Sequence, residues 1–382
     1  MDIIAVLIVI TLGLGFVSYF KKELSATELQ WLRKLLFYHL LFGAYYCFFV
    51  SGDAVGYWRV AQNMTSDDFN KFIVGEKGTY VLFALNYFPA KILGLSYFSG
   101  TMIYSLLGFI GLTFFYVLAV KTISYNSKFG NYTLFPLVFF MPNLHFWSSA
   151  VGKDTLLFLC IGMFSYGLLN ISRRIFLIAI ALVLSYIVRP HITLFLLVSF
   201  GLSYIMSSKV SGAKRIVLSV ILIGIGIAIL PSVMEFAKIE ETTMESFEQF
   251  SEKKADLLSR ANSGSRIDIS SYPFPLKVFT FLYRPLFFDI NGIPAAIASV
   301  ENLLLLIISF SIFRNKPVQT FKAAPFVVKG LVIFLIIGTL AFSQSLGNLG
   351  IMIRMRNMFL PGLLLFILWS FSYRKELEMK KK

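Results

Sequence analysis

The residues of this chain that are able to do chemistry are charged side chains at the edges of apolar segments. Asp53 follows one such segment in Gly52-Asp53-Ala54-Val55-Gly56-Tyr57, where a carboxylate can act as a general base or orient a hydroxyl group. Lys153 and Asp154 occupy a tight turn between two apolar segments, close to His145. A charged pair at such a boundary is unfavourable unless it serves a purpose. Helix capping by the carboxylates is the alternative interpretation.

Arginine, histidine and asparagine recur at the other boundaries in short turn-forming motifs. The guanidinium group of arginine binds phosphate through a planar fork of hydrogen bonds, which favours a phosphate ligand at these positions. Arg354 and Arg356 are two residues apart, so a helix would direct them to different faces. Snorkelling to lipid head groups is the alternative for each cation. The candidate ligand-binding residues are Tyr57, His145, Lys153, Arg189, His191, Arg266, Arg284, Asn348, Arg354 and Arg356.

The sequence leaves the identity of a catalytic base open between Asp53, Asp154 and Asp289, and we take Asp53 and Asp154 as the catalytic candidates. Cys47 and Cys160 lie in separate apolar segments. No spacing of Cys and His typical of a metal site is present. We therefore expect neither a disulfide framework, nor a metal ion, nor a cofactor.

The elements that must position these residues are apolar helices. Hydrophobic residues make up 57% of the 382 and charged residues only 14%, whereas a soluble chain carries roughly 25% charge. A helix that crosses a bilayer needs about 20 mostly apolar residues. The sequence predicts an all-α polytopic membrane protein, with residues 1–382 as a single integral-membrane domain and about 11 transmembrane helices. The predicted spans are Ile3–Phe20, Leu35–Val50, Thr101–Val120, Tyr132–Phe146, Thr155–Leu169, Ile175–Val188, Ile192–Met206, Ile216–Met234, Ile293–Phe313, Val327–Phe342 and Phe359–Phe371.

Charge selects the topology. With the N-terminus outside and the C-terminus inside, the inner loops hold 19 Lys and Arg residues and four acidic residues. The outer side holds 15 Lys and Arg residues and 16 acidic residues. Inner loops rich in Lys and Arg are what the positive-inside rule requires. This topology keeps the apolar stretch Thr79–Phe98 outside, in a first outer loop over residues 52–100 with interfacial helices; the alternative is that this stretch spans. The net charge of +15 is therefore a topology signal and does not indicate nucleic-acid binding.

All candidate site residues then fall on the outer side. A long second outer loop, residues 235–291, begins with a charged amphipathic segment and ends in an apolar stretch broken by prolines, which we expect at the membrane surface. Cations at the outer leaflet suit a lipid-linked phosphate or diphosphate. A carboxylate nearby suits proton removal from an acceptor hydroxyl. Together they favour glycosyl transfer from a polyprenyl carrier, with cations stabilising the leaving phosphate.

The short motifs at these boundaries resemble those of bacterial O-antigen polymerases and exopolysaccharide polymerases. The likeness covers most of the chain in layout. Exopolysaccharide polymerases often have an Arg-led helix start where this chain has Gly152-Lys153-Asp154. The motifs that carry the resemblance are Gly52-Asp53-x-x-x-Tyr57, Gly78-Thr79-Tyr80-Val81-Leu82, Trp147-Ser148-x-x-x-Gly152-Lys153-Asp154, Arg189-Pro190-His191, Arg284-Pro285 and Gly347-Asn348-x-Gly350-x-x-x-Arg354-x-Arg356.

The resemblance implies a GT-C-type multi-helix fold in the bacterial inner membrane, with its active face in the periplasm. It implies polymerisation of oligosaccharide repeat units by metal-independent, inverting transfer. The donor would be an undecaprenyl-diphosphate-linked glycan, the acceptor a second carrier-linked glycan, and the further partners membrane lipid and a chain-length regulator or flippase. Asp53 would be the base, and the arginines would hold the diphosphate.

Three other functions compete with this one. An O-antigen ligase shares the fold and the donor, and the sequence does not separate it from a polymerase. A transferase that uses a polyprenyl-phosphate-sugar would usually show a clearer acidic pair early in the chain than Asp67-Asp68, which lies in a polar stretch. A lipid-linked glycan transporter or flippase would show internal repeats and ionisable residues near the midplane. This chain shows no repeat, and its candidate site residues lie at the outer boundary; His39 and Lys329 are the exceptions considered among ionisable residues.

Overall fold

The computed structural model describes residues 2–50, 52–75, 77–207, 211–237, 264–269 and 271–381. The chain divides into two compact units. The first comprises Met1–Lys121 and Pro136–Thr193, and the second comprises Thr122–Phe135 and Leu194–Lys382. Most of the amphipathic segment predicted at the start of the 235–291 loop lies outside the described residues, because residues 238–263 are not among them.

The first unit is helical. A 3-10 turn, Phe20–Lys22, extends its first helix, and a π-helical turn, Tyr87–Ile92, follows its fifth. Its helices, in chain order, are α1 (Asp2–Tyr19), α2 (Ala26–Phe49), α3 (Asp53–Asn63), α4 (Ser66–Gly75), α5 (Thr79–Asn86), α6 (Tyr97–Thr122), α7 (Leu134–Leu137), α8 (Pro142–Phe146), α9 (Lys153–Gly167), α10 (Ile171–Val188) and the start of α11 (Pro190–Ile205).

The second unit is also helical, apart from one small hairpin. Strands β1 (Lys128–Phe129) and β2 (Tyr132–Thr133) pair antiparallel. Its helices, after the rest of α11, are α12 (Gly212–Ala237), α13 (Phe274–Tyr283), α14 (Ile293–Arg314), α15 (Pro317–Ala323), α16 (Phe326–Ser343), α17 (Leu349–Arg356) and α18 (Leu360–Lys380).

Among the described residues, six helical stretches are long and apolar enough to cross a membrane, and the number is eight if each of two bent helix pairs is one span. The bent pairs are α2 with α3, at 79°, and α17 with α18, at 60°. The prediction of a polytopic helical membrane protein is confirmed. The count of about 11 spans and their orientation stay predictions. The six stretches are Asp2–Lys22, Tyr97–Thr122, Lys153–Val188, Arg215–Glu235, Ile293–Arg314 and Phe326–Ser343.

The segment Tyr132–Phe146, which the sequence predicted as a span, is not one helix. It begins in β2 and ends in the five-residue helix α8, and the backbone of Phe135 between them is extended (φ −92°, ψ 131°). Phe135 precedes Pro136, and Met141 (φ −60°, ψ 123°) precedes Pro142. Proline pushes the preceding residue out of the helical region and supplies no N–H donor. Two prolines therefore break the segment that composition alone marked as apolar.

Residues 52–100, which the sequence predicted as a first outer loop with interfacial helices, form several short helices. The stretch Thr79–Phe98 folds as α5, the π-helical turn and the start of α6, and α3 and α4 precede it. Helix α5 and the π-helical turn are each too short to be a candidate span, whereas α6 continues beyond this stretch as one. The position of this stretch relative to a membrane stays a prediction.

Helices α9 and α10 form an antiparallel hairpin. Asn170, with φ −153° and ψ 80°, interrupts the stretch and caps α10 by accepting a hydrogen bond from the backbone N–H of Arg173. At the open end, Arg189 Nη1 lies 3.1 Å from Asp154 Oδ1. A straight helix would hold the two ends of this stretch about 50 Å apart. The ion pair is therefore possible only because the chain turns back at Asn170.

The turn of this hairpin lies at the basic end of the first unit. Glu23 forms ion pairs with Lys121 at 3.4 Å and with Arg174 at 3.5 Å. The hydroxyl of Tyr166 donates a hydrogen bond of 2.9 Å to the same carboxylate. The network joins the ends of α1, α6 and α9 to the start of α10. Lys121 and Arg174 are both cations that the charge pattern places on the inner side of the membrane.

Glycine allows α6 to pack directly on its neighbours. A Cβ atom on Gly108 would lie 1.7 Å from the carbonyl oxygen of Ser148, and one on Gly162 would lie 2.7 Å from that of Gly111. Helices in a membrane gain stability from such close approach because lipid offers no hydrophobic drive to bring them together. The first unit therefore requires small residues at these crossings.

The second unit uses the same device where α16 packs on α18. A Cβ atom on Gly362 would lie 2.5 Å from the carbonyl oxygen of Leu331. The side chain of Phe359 occupies the space beside Gly338, and its ring lies 4.7 Å from that of Phe334. Close contact between backbones thus shapes each unit separately.

We predict that Gly108→Ala destabilises the protein, because the new methyl group must displace the Ser148 backbone. Overpacking of this kind lowers the free energy of unfolding by about 1–3 kcal/mol or more. The matched control is Gly15→Ala, since a Cβ there meets nothing within 4 Å. Membrane abundance and thermal unfolding of the purified protein measure the effect. Equal stability of the two variants would contradict this packing.

Candidate functional site

Five residues of the first unit form a charged cluster at the open end of the α9–α10 hairpin. Arg189 pairs with Asp154, and both side chains are about nine-tenths buried. The ammonium group of Lys153 donates a 2.9 Å hydrogen bond to Thr79 Oγ1. Lys77 donates a 3.3 Å hydrogen bond to the hydroxyl of Tyr186, three residues before Arg189. We call Lys77, Thr79, Lys153, Asp154 and Arg189 the cation cluster.

The start of α5 reaches this cluster through one glycine. Gly78 has φ 75°, which is in the left-handed region that glycine adopts most easily. Its backbone N–H donates a 2.9 Å hydrogen bond to the carbonyl oxygen of Ile187 in α10. This contact places Lys77 and Thr79, on either side of Gly78, against the open end of the hairpin.

The cation cluster carries a net positive charge. Lys77, Lys153 and Arg189 contribute three positive charges, and Asp154 contributes one negative charge. The cluster also contains the N-terminus of α9, where unsatisfied backbone N–H groups and the helix dipole favour an anion. Asp154, in the first turn, complements this dipole, whereas Lys153 beside it adds to the positive potential. Lys77 and Lys153 are half-buried. The arrangement suits binding of an anion such as a phosphate group.

Asp53 and Tyr57 lie on one face of α3, one helical turn apart. Asp53 is exposed in the first turn of the helix, and Tyr57 is half-buried with its ring 6.2 Å from that of Phe83 in α5. His191 is half-buried in the first turn of α11, two residues after Arg189. The structure therefore brings Asp53 and Tyr57 to the helix that also supplies Thr79 to the cation cluster.

His145, predicted to bind ligand, is fully buried. Its Nε2 atom donates a 2.7 Å hydrogen bond to the carbonyl oxygen of Phe139, and its Nδ1 atom lies 2.9 Å from Nδ1 of His39. Because Nε2 carries the proton, Nδ1 accepts the hydrogen bond from His39. Both histidines therefore serve as internal contacts that hold α8 against α2.

In the second unit, Arg284 forms a forked ion pair with Asp289. Nε and Nη2 of Arg284 each donate to one carboxylate oxygen, and Nη1 donates to the hydroxyl of Tyr272 at 3.2 Å. Asp289 also accepts a 2.8 Å hydrogen bond from the backbone N–H of Leu286. The hydrogen bond to Asp289 raises the pKa of Arg284 above its ordinary value. Asp289, one of the three candidate bases, is therefore occupied as the partner of a cation.

Arg356, predicted to bind ligand, is 1% exposed and holds the same loop from inside. Nη1 donates to the carbonyl oxygen of Leu282, and Nη2 donates a 2.6 Å hydrogen bond to Asn302 Oδ1. Asn302 in turn donates a 2.8 Å hydrogen bond to the carbonyl oxygen of Pro285. Arg356 thus fixes the segment that presents Arg284, and its guanidinium group is directed into the protein.

Arg354 differs from Arg356, as the spacing predicted: its side chain is half-exposed. Asn348 accepts a hydrogen bond from the backbone N–H of Ile351 and caps α17, and its backbone bridges that of Arg266. Arg266 itself is exposed. Arg266 and Arg354 are therefore the predicted cations of the second unit whose side chains reach its surface.

Lys77 and Thr79 belong to the cluster but were not predicted as site residues. In the sequence, Gly78 and Thr79 are only part of one of the motifs that resemble polysaccharide polymerases. A glycine at a helix start, flanked by a cation and a hydroxyl, is the local signal that marks them. Nothing in the sequence indicates that this helix start contacts the end of α10, more than 100 residues away.

Among the described residues, no group of three or more His, Cys, Asp or Glu side chains is placed to hold a metal ion. No protein family, curated protein or solved structure matches the chain. The function is therefore inferred from the residues of this chain and their contacts.

We predict that Arg356→Ala destabilises the protein more than Arg354→Ala does. Removal of Arg356 leaves the Leu282 carbonyl and the Asn302 side chain without their partner, and breaking such a buried polar network costs about 1–3 kcal/mol or more. Thermal unfolding of the purified variants distinguishes the two. A stable Arg356→Ala protein would show that this arginine does not hold the loop.

Proposed function

We propose that the chain is a bacterial inner-membrane glycosyltransferase that polymerises undecaprenyl-diphosphate-linked oligosaccharide repeat units at the periplasmic face. The observation that carries the proposal is the cation cluster, in which Arg189 pairs with Asp154 at the N-terminus of α9, and Lys77 and Lys153 add two further positive charges. A diphosphate carries negative charge that such a cluster neutralises. The proposal retains the GT-C-like fold and the orientation with the N-terminus outside.

In the proposed reaction the cluster binds the diphosphate of the donor. A base removes the proton of an acceptor hydroxyl while the hydroxyl oxygen forms a bond to the anomeric carbon of the donor glycan. The bond from that carbon to the diphosphate oxygen breaks, and the polyprenyl diphosphate leaves with the electron pair. Lys77 and Lys153 stabilise the charge that develops on it. Inversion at the anomeric carbon follows from this single displacement.

Asp53 is the best candidate for the base. It is exposed, so an acceptor hydroxyl can reach it, and α3 packs on α5 through Tyr57 and Phe83. Asp154 is paired with Arg189 and nine-tenths buried, and Asp289 is paired with Arg284. The carboxylates of Asp154 and Asp289 are therefore directed toward their arginine partners. The structural role of Asp154 is then to hold Arg189 and the start of α9.

In the second unit, Arg266 and Arg354 stay candidate substrate-binding residues, because their side chains reach the surface of that unit. Arg284 and Arg356 hold the loop between α13 and α14 instead, because their donors already have protein partners.

The O-antigen ligase stays the nearest alternative, because the cation cluster would bind the same donor. The polyprenyl-phosphate-sugar transferase is less favoured, because its expected acidic pair would be Asp67-Asp68.

Asp68 accepts two hydrogen bonds from Thr65 at the start of α4, so its carboxylate serves the helix start. For a transporter the cations would be needed near the midplane, whereas Lys153 and Arg189 lie at helix ends.

The glycan pattern of a deletion strain tests the proposal. Complementation with wild type should restore a ladder of long polysaccharide, whereas Asp53→Asn, Lys153→Ala and Arg189→Ala should each leave single repeat units. General-base or charge-stabilising groups contribute about 100-fold or more to rate, enough to remove the ladder. Lys91→Ala, which changes an exposed lysine outside the cluster, should keep it.

Protein abundance in the membrane separates lost catalysis from lost folding, and Arg189→Ala is interpreted only if its abundance is close to that of the wild type. Full-length polymer that remains on its carrier in the deletion strain would favour the ligase. An unchanged ladder in the deletion strain would contradict glycan assembly altogether.

A further inference from the structure

Four aromatic side chains on α3, α4 and α5 form one connected layer in the first unit. Their rings contact one another with centroid separations from 4.8 to 6.2 Å. Phe69 and Tyr87 stack on each other at 4.5 Å as a separate pair. None of the four rings of the layer is fully buried. We call this group the aromatic layer; its members are Tyr57, Phe72, Tyr80 and Phe83.

The layer is not a packing core. Trp58, next to Tyr57, is the residue that packs inside: it is 1% exposed, and its Nε1 donates a hydrogen bond to the carbonyl oxygen of Leu95. Tyr80 is 39% exposed. The core of this region therefore lies on another face, and the layer keeps part of its aromatic surface accessible.

The aromatic layer also lies on a different face of α5 from the exposed apolar residues that could contact lipid. Leu85 in α5 and Phe88 in the π-helical turn are both strongly exposed apolar residues, at 46% and 59%. Tyr80 and Phe83 form a second face, and Leu82 is fully buried on a third. On an α-helix with 3.6 residues per turn, Leu82 and Leu85 each point away from the face of Tyr80 and Phe83. The aromatic face is thus separate from the aliphatic one.

The surroundings of the layer indicate what it binds. Asp53 precedes Tyr57 by one helical turn, and Tyr57 contacts Phe83. At the other edge, Tyr80 follows Thr79, which accepts the hydrogen bond from Lys153 of the cation cluster. A ligand on the layer would therefore adjoin both the carboxylate of Asp53 and the positive charges that suit a phosphate.

We propose that the aromatic layer binds the sugar of the lipid-linked donor. Pyranose rings present apolar C–H faces that stack on aromatic side chains, and their hydroxyl groups need polar neighbours. In a glycosyl donor the anomeric carbon is bonded to the phosphate and must also be reached by the attacking oxygen. A sugar site that adjoins both the cation cluster and Asp53 satisfies both requirements. This inference rests on the proposed function and specifies the part of the substrate that this surface recognises.

Tyr80 provides the test, because its exposed ring can be replaced without opening a cavity. The full-length protein in lipid nanodiscs is titrated with farnesyl diphosphate and with farnesyl diphosphates that carry glucose, galactose, N-acetylglucosamine or N-acetylgalactosamine. Farnesol and empty nanodiscs correct for partitioning into lipid. The variants are Tyr80→Leu, Tyr80→Phe, which keeps the ring, and Phe88→Leu, which removes a ring from the lipid-type face.

The wild type should bind at least one sugar-bearing probe more tightly than farnesyl diphosphate. Tyr80→Leu should lower the affinity for that probe about tenfold, the effect of losing about 1.4 kcal/mol of stacking, and should change the affinity for farnesyl diphosphate less than about twofold. Tyr80→Phe and Phe88→Leu should bind both probes as the wild type does.

Four results would overturn the inference. If no sugar-bearing probe binds more tightly than farnesyl diphosphate, or if Tyr80→Leu affects both probes equally, the layer does not bind sugar, although diphosphate binding by the cation cluster would stand. If farnesyl diphosphate binds no better than farnesol, the proposed function fails, and this inference fails with it. Equal effects of Tyr80→Leu and Phe88→Leu would assign the layer to the membrane interface.

Discussion

The ion pair between Asp154 and Arg189 is the contact on which the site of the first unit depends. It lies at the open end of the α9–α10 hairpin, with both side chains about nine-tenths buried. Removing one partner of a buried pair leaves an uncompensated charge, at a cost of about 3–5 kcal/mol. The pair therefore fixes the start of α9, which carries Lys153, against the end of α10, which accepts the contact from Gly78. Each remaining member of the cation cluster takes its position from these two helix ends.

The membrane explains why charge gathers at helix ends. Backbone groups in lipid must be satisfied within helices, and ionisable side chains inside a span are unfavourable. In the first unit, Glu23, Lys121 and Arg174 meet at one end of the helices, and the cation cluster lies at the other end of α9 and α10. At the basic end, Glu23 pairs with both cations and ties four helices together. The opposite end keeps an excess of positive charge beside a helix N-terminus, an arrangement that attracts an anion.

The sequence predicted the features that composition and local chemistry determine. Long apolar runs became α1, α6, α14 and α16, and the cations at Lys153 and Arg189 do lie at helix ends. Pro136 and Pro142 indicate that a helix over Tyr132–Phe146 would be interrupted. The prediction of a span followed the apolar composition of this segment instead. The burial of His145 and Arg356 depends on which helices pack together. No local pattern distinguishes an arginine that faces a ligand from one that bonds to Leu282 and Asn302. Lys77 was missed for the same reason, because its partner Tyr186 is distant in the chain.

A double-mutant cycle on Asp154 and Arg189 tests most directly whether the site of the first unit depends on this ion pair. The free energy of unfolding is measured in micelles for the wild type, Asp154→Asn, Arg189→Gln and the double variant. If the pair holds the hairpin closed, each single variant is strongly destabilised and the coupling energy exceeds about 1.5 kcal/mol, as for other close charge pairs. A coupling energy below about 0.5 kcal/mol, within the range of independent sites, would contradict the account.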